Sequence, residues 1–465
     1  MSEMRSMLQT AAEMFGDRPA LISTDRTLSW QETADQVALL VTHLEQMNIG
    51  RATAVVMTGT NSVDYLLSFL ACFEIGAVAC PQSPRLTTIE QSRSTDMLSA
   101  IVLDTSALDW PQIRQRGSST KTRAWSTDQL ATIISTSGSS GRPKMTALTI
   151  GNHYYNAVGS NDNIPFAPGD RWLLSLPLYH VGGIALLFRA MLAGGALVIP
   201  ENGTTLGQSV VSGQVTHVSV VPTLLYRMLS QPRELVLAKA HLKAVLIGGG
   251  PVSPLLIDRA LEAGLPIYTS YGLTEMGSQV TTTAPGDPAK SLFTSGRLLK
   301  YRELSIAGDG EILVRGETRF AGYFSENGLI GPFDNSGWFA TGDIGSMRKD
   351  GFLTVIGRKD NMFVSGGENI HPEEIEIALG RLPEILEAVI VSIEDDEYGR
   401  RPVAFVRLLP RSPFDETKLA KFLERFLPKF KVPDEFFPWP DDAPIDALKP
   451  DRRWFERRAV DLLNR

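Results

Sequence analysis

The sequence predicts an α/β protein: a large N-terminal unit of mixed, mostly parallel sheets flanked by helices plus a β-barrel-like hairpin region, and a small α+β C-terminal unit. Three observations predict it. From about residue 50 to about 280, short β-branched runs alternate with helical periodicity, which places parallel strands side by side with helices across their faces. After residue 300 the texture changes to alternating strands punctuated by Asp309-Gly310 and Asp350-Gly351, dipeptides suited to two-residue hairpin turns. The stretch from about Asn361 onward is a separate mixture of strands and amphipathic helices.

Composition bounds the function. The chain has 465 residues, 43% of them hydrophobic, enough for two or three domains with sizeable cores. A net charge of -7 excludes a broadly basic face for nucleic acid but leaves room for a local cationic site and small anionic substrates. Two cysteines, Cys72 and Cys80, lie in apolar βα pattern and read as core thiols, and the six histidines lack the spacing of a zinc or haem site. A reducing cytoplasm fits best.

In chain order, "MSEMRSMLQTAAEMFGDRPALI" carries Glu3, Glu13 and Asp17 and no unbroken apolar core, so it reads as an amphipathic helix and not as a signal peptide. "TAVVM", "SVDYLLSFLACFEIG" and "AVAC" form a strand, a helix and a strand. "ISTSGSSGRPKMTALT", Ile134 to Thr149, crowds hydroxyls, glycines and Lys144 between two apolar segments; it is either a polar surface loop or a wrap for an anion. It does not match the phosphate loop that leads into a helix, because "MTALT" after it reads as a strand. Trp172 to Pro200 is apolar, yet Pro177, His180, Arg189 and several glycines break it into strand, loop and buried helix, so no transmembrane segment is expected.

The clearest unit follows. Ala244 to Ile247 is a strand that runs into Gly248-Gly249-Gly250; Ser253 caps a helix opening at Pro254 and closing at Gly264; "PIYTS" is the next strand. The triple glycine and Tyr271 to Glu275 therefore sit at strand carboxyl ends, where open α/β sheets bind ligands. Counting outward from an Asp350-Gly351 turn sets Asp343 opposite Arg358, either as a cross-strand salt bridge or as two groups flanking one ligand. A boundary falls at Gly357 to Asn361, and a helix begins at Pro372 with Glu373 and Glu374 in its first turn. Strands "EAVIVSI" and "RPVAFVRLL", a helix "DETKLAKFLERFLP" and a polar tail complete the chain, with no tandem repeat.

"TSGSSGRPK", "YGLTE", "TGD", "GR" followed by Asp360, and the late "ALKPDR", in that order, resemble the motifs of the adenylate-forming enzymes: acyl-CoA and aryl-CoA synthetases, luciferases and peptide-synthetase adenylation domains. The resemblance covers nearly the whole chain, from "FGDRPALIS" to "ALKPDR". It implies an N-terminal domain of residues 1–358 and a mobile C-terminal domain of residues 359–465 hinged near Asp360. It also implies two steps: a carboxylate attacks the α-phosphate of ATP with Mg²⁺ to give an acyl-adenylate and pyrophosphate, then coenzyme A displaces AMP.

By the same resemblance Thr136, Ser137, Gly138, Ser139, Ser140, Gly141 and Lys144 hold the β- and γ-phosphates, Thr274 donates to the α-phosphate, and Glu275 holds Mg²⁺. Tyr271 and Gly272 lie at the adenine face with Gly248, Gly249 and Gly250 at its edge, and Asp343 and Arg358 take the ribose. Lys449 is the catalytic lysine, with Lys429 and Lys431 as alternatives; Asp360 is the hinge, and Gly366 and Gly367 admit the arm of coenzyme A. Two positions depart from the pattern: Leu448 stands where Gly often precedes the lysine, and Met145 where Gly commonly follows Pro-Lys.

For the acid, "LLSLPLYHVGGIALLFRAMLAGG", "HVSVVPTLLYRM", "YGLTEMGSQV" and "VSGGENIHPEEIE" resemble the o-succinylbenzoate-activating branch of menaquinone biosynthesis. That implies a small aromatic carboxylate lying near Gly272, with His180, Ser219 and Thr274 about its acyl groups and Arg189 as a candidate cation for a second carboxylate. Other acyl-CoA or aryl-CoA ligases, an enzyme loading a carrier-protein thiol, and a non-catalytic nucleotide-binding regulator are the rival readings. No nucleic-acid partner is expected, and a homodimer is left open.

Overall fold

The computed structural model describes residues 3–115, 117, 124–136, 144–409, 411–444 and 451–463. A nine-stranded sheet runs in the order Arg297–Leu298, Ser278–Thr282, Ile267–Leu273, Ala244–Ile247, His217–Val220, Arg171–Leu173, Ala196–Val198, Pro19–Ile22 and Thr27–Ser29. Its six inner strands are parallel, and antiparallel strands close both edges. A seven-stranded sheet has a parallel half, Leu130–Thr136, Val78–Gln82, Ala54–Thr58 and Ile101–Asp104, continued antiparallel by Lys144–Thr149, Gly322–Ser325 and Gly328–Ile330.

Two of the helices against these sheets, Val63–Ile75 and Val181–Ala193, are the most apolar of the chain's described helices. Val63–Ile75 starts where Ser62 accepts from the Tyr65 amide and stops at Gly76 in the left-handed region, φ 78°. All its residues except Asp64 are buried. Helix Ile150–Asn163 packs on Lys144–Thr149 of one sheet and Ser278–Thr282 of the other, beside helix Val181–Ala193. The strand, triple-glycine and helix unit falls where expected, with Ser253 accepting from Leu256 N and the helix spanning Pro254–Glu262.

The hairpin region is a four-stranded antiparallel sheet, Arg302–Ile306, Glu311–Gly316, Phe339–Met347 and Leu353–Arg358. Its turns correct the two-residue expectation. Arg348 N donates to Phe352 O and Gly351 N to Arg348 O, so the loop is Lys349-Asp350-Gly351 with Gly351 left-handed at φ 82°. Gly308-Asp309-Gly310 repeats this, Gly310 having φ 87°. Both are three-residue loops whose last position needs glycine. Asp343 still faces Arg358, because a register shift after Ile344 skips one residue on the partner strand and offsets the longer turn.

The C-terminal unit is a sheet of Ile385–Asp395, Gly399–Leu408 and Glu435–Pro438, with helix Pro372–Leu379 beside it. Helix Glu416–Leu423 is shorter than its sequence pattern suggested. The tail read as merely polar contains the strand Glu435–Pro438 and the helix Arg452–Leu463, whose Phe455 and Ala459 pack on Val389, Val391, Val403 and Phe405. That helix hides its narrow apolar stripe among charged neighbours, so periodicity alone did not expose it. Among the described residues no helix is long and apolar enough to cross a membrane.

His153 is fully enclosed, bonded to Thr132 Oγ1 at 2.9 Å and stacked on Phe188 at 4.7 Å. Burial pushes its pKa down to about 3. An unfolded histidine titrates near ~6.5, so below that pH the unfolded chain binds a proton the native one refuses, and stability falls as pH drops. Denaturant unfolding of the parent should lose about 1.2 kcal/mol more between pH 6 and 5 than that of His153→Gln. Equal slopes in parent and variant would contradict a neutral native His153.

Candidate active site

Three sheets supply side chains that contact one another in two linked pairs. Tyr271 ends the strand Ile267–Leu273, and Thr274 and Glu275 occupy the 3₁₀ turn that follows. Lys144 and Tyr323 lie on neighbouring strands of the seven-stranded sheet, while Asp343 and Arg358 face each other across the hairpin. Side-chain contacts between sheets bring these groups together, Tyr271 with Asp343 and Tyr323 with Glu275.

Asp343 is the centre of one cluster. Tyr271 Oη donates to its Oδ2 at 2.6 Å and Arg358 Nη1 to its Oδ1 at 3.1 Å. Burial, then the charge of Asp343, pushes the Tyr271 phenol well up, so it is a fixed donor. Burial works against the charge of Arg358, but Asp343 and Asp360 more than reverse this and raise its pKa. Arg358 also donates to Thr341 O at 3.0 Å and, from Nη2, to Asp360 Oδ2 at 3.0 Å. Each Asp343 oxygen keeps a further lone pair, which suits a carboxylate that must accept from two vicinal hydroxyls.

Glu275 anchors a second cluster. Tyr323 Oη donates to its Oε1 at 2.7 Å, and Lys144 Nζ stands 5.0 Å above the Tyr323 ring. Burial, then Glu275, raises the Tyr323 pKa, so this hydroxyl also stays a donor. Oε2 of Glu275 makes no hydrogen bond among the described residues, and no group of three His, Cys, Asp or Glu exists among them to form a complete protein cage. One free carboxylate oxygen fits Mg²⁺, which commonly takes one or two protein carboxylates and fills its remaining positions with phosphate and water.

The remaining candidates fall as follows. Thr136 and Lys144 are register partners, with Thr136 Oγ1 donating to Lys144 O at 3.2 Å, so they clamp the two ends of the Ser/Gly loop. Ser137, Gly138, Ser139, Ser140 and Gly141 lie outside the described residues, as does Lys449. Met145, one of the two departures, is buried with Val56, Val78 and Cys80. Gly248, Gly249 and Gly250 follow their strand as expected, Gly249 with φ 83°. Gly272 sits at a register shift where a Cβ would come within 2.2 Å of Ser278 O, so only glycine fits. Gly366 and Gly367 form a two-residue turn with φ 57° and 87°, between paired Ser365 and Glu368.

His180 precedes helix Val181–Ala193, its ring 4.7 Å from that of Tyr179. Asn61 fixes the approach to His180, donating to Leu174 O and Leu176 O at 3.0 and 2.9 Å and accepting from Leu178 N at 3.0 Å. Buried Ser219 accepts from Trp172 Nε1 at 3.1 Å, which leaves its own proton as the donor. Arg189 is 1% exposed and donates to Asn161 Oδ1, Gln279 Oε1 and the carbonyls of Ser160 and Ile164. These neutral partners, and the Trp172 ring 4.1 Å away, make it a tie between helices and sheet, and burial pushes its pKa down to about 9. Lys431 is paired with Glu374.

Sequence reasoning missed Tyr323, Thr341 and Asn61. Tyr323 acts on a residue far away in the chain, and only the pairing of Gly322–Ser325 with Lys144–Thr149 brings it in. Its position in "AGYF" carries no local signal of that contact.

Residues 8–96 and 88–324 match the AMP-binding enzyme family, and residues 374–446 match the AMP-binding enzyme C-terminal domain. The 2-succinylbenzoate–CoA ligase of Bacillus pumilus is 33% identical, with 93% of each chain aligned. The o-succinylbenzoate CoA synthetase of Bacillus subtilis, solved in complex with the acyl-adenylate intermediate OSB-AMP, superposes with a TM-score of 0.85 at 28% identity, over 98% of this chain and 99% of that one. The same enzyme in complex with ATP and magnesium ion gives a TM-score of 0.85 at 28% identity, over 97% and 99%. With family matches along its length and relatives aligned over nearly all of it, the chain belongs to the AMP-binding enzyme family, the adenylate-forming enzymes its motifs resemble.

Proposed function

We propose that the protein ligates o-succinylbenzoate to coenzyme A through an acyl-adenylate, using ATP and releasing pyrophosphate and AMP. The observation that carries the adenylation chemistry is Asp343, held by Tyr271 and Arg358 with acceptor capacity left for a ribose. The acid is read from relatives that align along nearly the whole chain, a 2-succinylbenzoate–CoA ligase and an o-succinylbenzoate CoA synthetase.

In this reading Asp343 and Arg358 fix the sugar, Tyr271 lies against adenine with Gly272 beneath it, and Gly248 to Gly250 leave room at the base edge. Thr136, Lys144 and the loop from Ser137 to Gly141 donate to the β- and γ-phosphates, and Thr274 to the α-phosphate. Two anions then meet where fixed donors replace water, which lowers the cost of the charge that develops. Mg²⁺ bound at Glu275 Oε2 neutralises phosphate charge when present. Lys449 bridges the acyl carboxylate and the nucleotide, and His180, Ser219 and Thr274 orient the acyl end. Residues 1–358 and 359–465 act as two domains turning at Asp360, after which Gly366-Gly367 admits coenzyme A.

Pyrophosphate release measured with o-succinylbenzoate, benzoate, cinnamate and a fatty acid should be fastest with o-succinylbenzoate; a faster simple monocarboxylate overturns the substrate assignment. Lys449→Ala should slow adenylation by about 10²- to 10³-fold and still pass a preformed adenylate to coenzyme A.

Asp343→Ala should raise the Kd for ATP about 10- to 100-fold, and Tyr271→Phe by less than ~10-fold, as expected for hydrogen bonds to a charged group and to a neutral donor. Calorimetric titration checks this, and an unchanged Kd in Asp343→Ala would remove the ribose assignment.

Glu275→Gln should shift the Mg²⁺ concentration for half-maximal pyrophosphate release upward by about tenfold or more while Tyr323→Phe shifts it less. A larger effect from Tyr323→Phe would place the metal elsewhere.

A further inference from the structure

The adenylation reading leaves unexplained how a lysine in the tail is held. Arg452 follows Lys449 by three residues, so the two α-carbons are at most about 11 Å apart along the chain. Arg452 is also the first residue of the helix seated by Phe455 and Ala459 on the C-terminal sheet. Its guanidinium is committed: Nη1 lies 2.6 Å from Glu376 Oε1 and 2.5 Å from Ile390 O, and Nη2 lies 2.8 Å from Glu376 Oε2 and 3.2 Å from Glu373 Oε1. The side chains of Glu373 and Glu376 are 7% and 13% exposed.

Glu373 also reaches the hinge. Glu373 Oε1 accepts from Asn361 Nδ2 at 2.5 Å, and Asn361 is the residue after Asp360. Glu373 Oε2 is buried without a hydrogen-bond partner and lies against Gly357, where a Cβ would come within 2.5 Å of it. Arg358, on the upstream side, bonds Asp360 and Asp343. A set of contacts therefore runs from Asp343 through Arg358, Asp360 and Asn361 to Glu373 and Arg452, three residues after Lys449.

We propose that Arg452 is a positioning residue for adenylation, which ties the chain three residues after Lys449 to the helix Pro372–Leu379 and the downstream flank of the hinge. It rests on the adenylation reading and on the role given there to Lys449. Two carboxylates one helical turn apart and buried repel each other, and the guanidinium that offsets them also joins three segments distant in sequence. Stability alone is a weak reason for such a cluster, because apolar packing of similar volume is commonly as stable. Registration is a reason that apolar packing does not supply. A displacement of about 1 Å at a catalytic group can cost on the order of 10²-fold in rate.

The test uses the full chain and separates the half-reactions. Acid-dependent pyrophosphate release and conversion of separately prepared acyl-adenylate to thioester are measured for the parent, Arg452→Gln, Arg452→Lys and the double variant Arg452→Gln with Glu376→Gln, alongside thermal unfolding. Arg452→Gln should lose about 30- to 100-fold in pyrophosphate release and less than about threefold in thioester formation, with partial recovery in Arg452→Lys. The double variant, relieved of one buried charge, should regain thermal stability without regaining adenylation. Equal loss of both half-reactions, loss of neither, or recovery of adenylation together with stability in the double variant each overturns the positioning role. A parent that releases no pyrophosphate with any acid overturns the functional reading itself, and this role with it.

Discussion

One partly buried carboxylate governs the cleft. Asp343 must stay aimed, and it does so because a phenol from one sheet and a guanidinium from its own hairpin each take one of its oxygens. That arrangement fixes where the nine-stranded and four-stranded sheets meet. Glu275 and Tyr323 make the corresponding joint with the seven-stranded sheet. The two clusters communicate, since the charge of Arg358 acts on Tyr323 as well as on Tyr271. Three sheets are thus locked at the point where the phosphates and the ribose are proposed to lie.

Behind the cleft the locking is done by arginines without carboxylates. Arg189 and Arg302 are both buried, burial pushes the pKa of each down to about 9, and their partners are amides and carbonyls. Arg302 donates to Gln279 O, Lys300 O and Asn156 O, while Arg189 reaches the side chain of Gln279. Helix Ile150–Asn163 is thereby fastened to strand Ser278–Thr282, which pairs with the strand bearing Tyr271. A planar guanidinium spreads five donors in a fixed fork and so reaches carbonyls of several segments, where a lysine ammonium has three donors at one point.

What could be read from the sequence was mostly local. The strand from Ala244, the Ser253 cap, the glycine stop and the Pro372 helix start all rest on neighbours within a turn or two, and they fall where those neighbours put them. The Asp343 and Arg358 pairing was reached by a count that erred twice in compensating ways, once at the turn and once at the bulge. The tail helix was invisible because its buried face is narrow, and Tyr323 because its partner arrives only through strand pairing. Arg189 looked free for a ligand because the sequence does not display the carbonyls that occupy it.

Gly272 imposes a limit of another kind. With Ser278 O so close that no side chain can be added, this stretch of the cleft is bare main chain. If an aromatic acid rests there, as proposed, evolution cannot resize that contact one residue at a time. Drift toward smaller or larger acids must instead come from the flanking walls, which makes them the natural ground for diversification among paralogues.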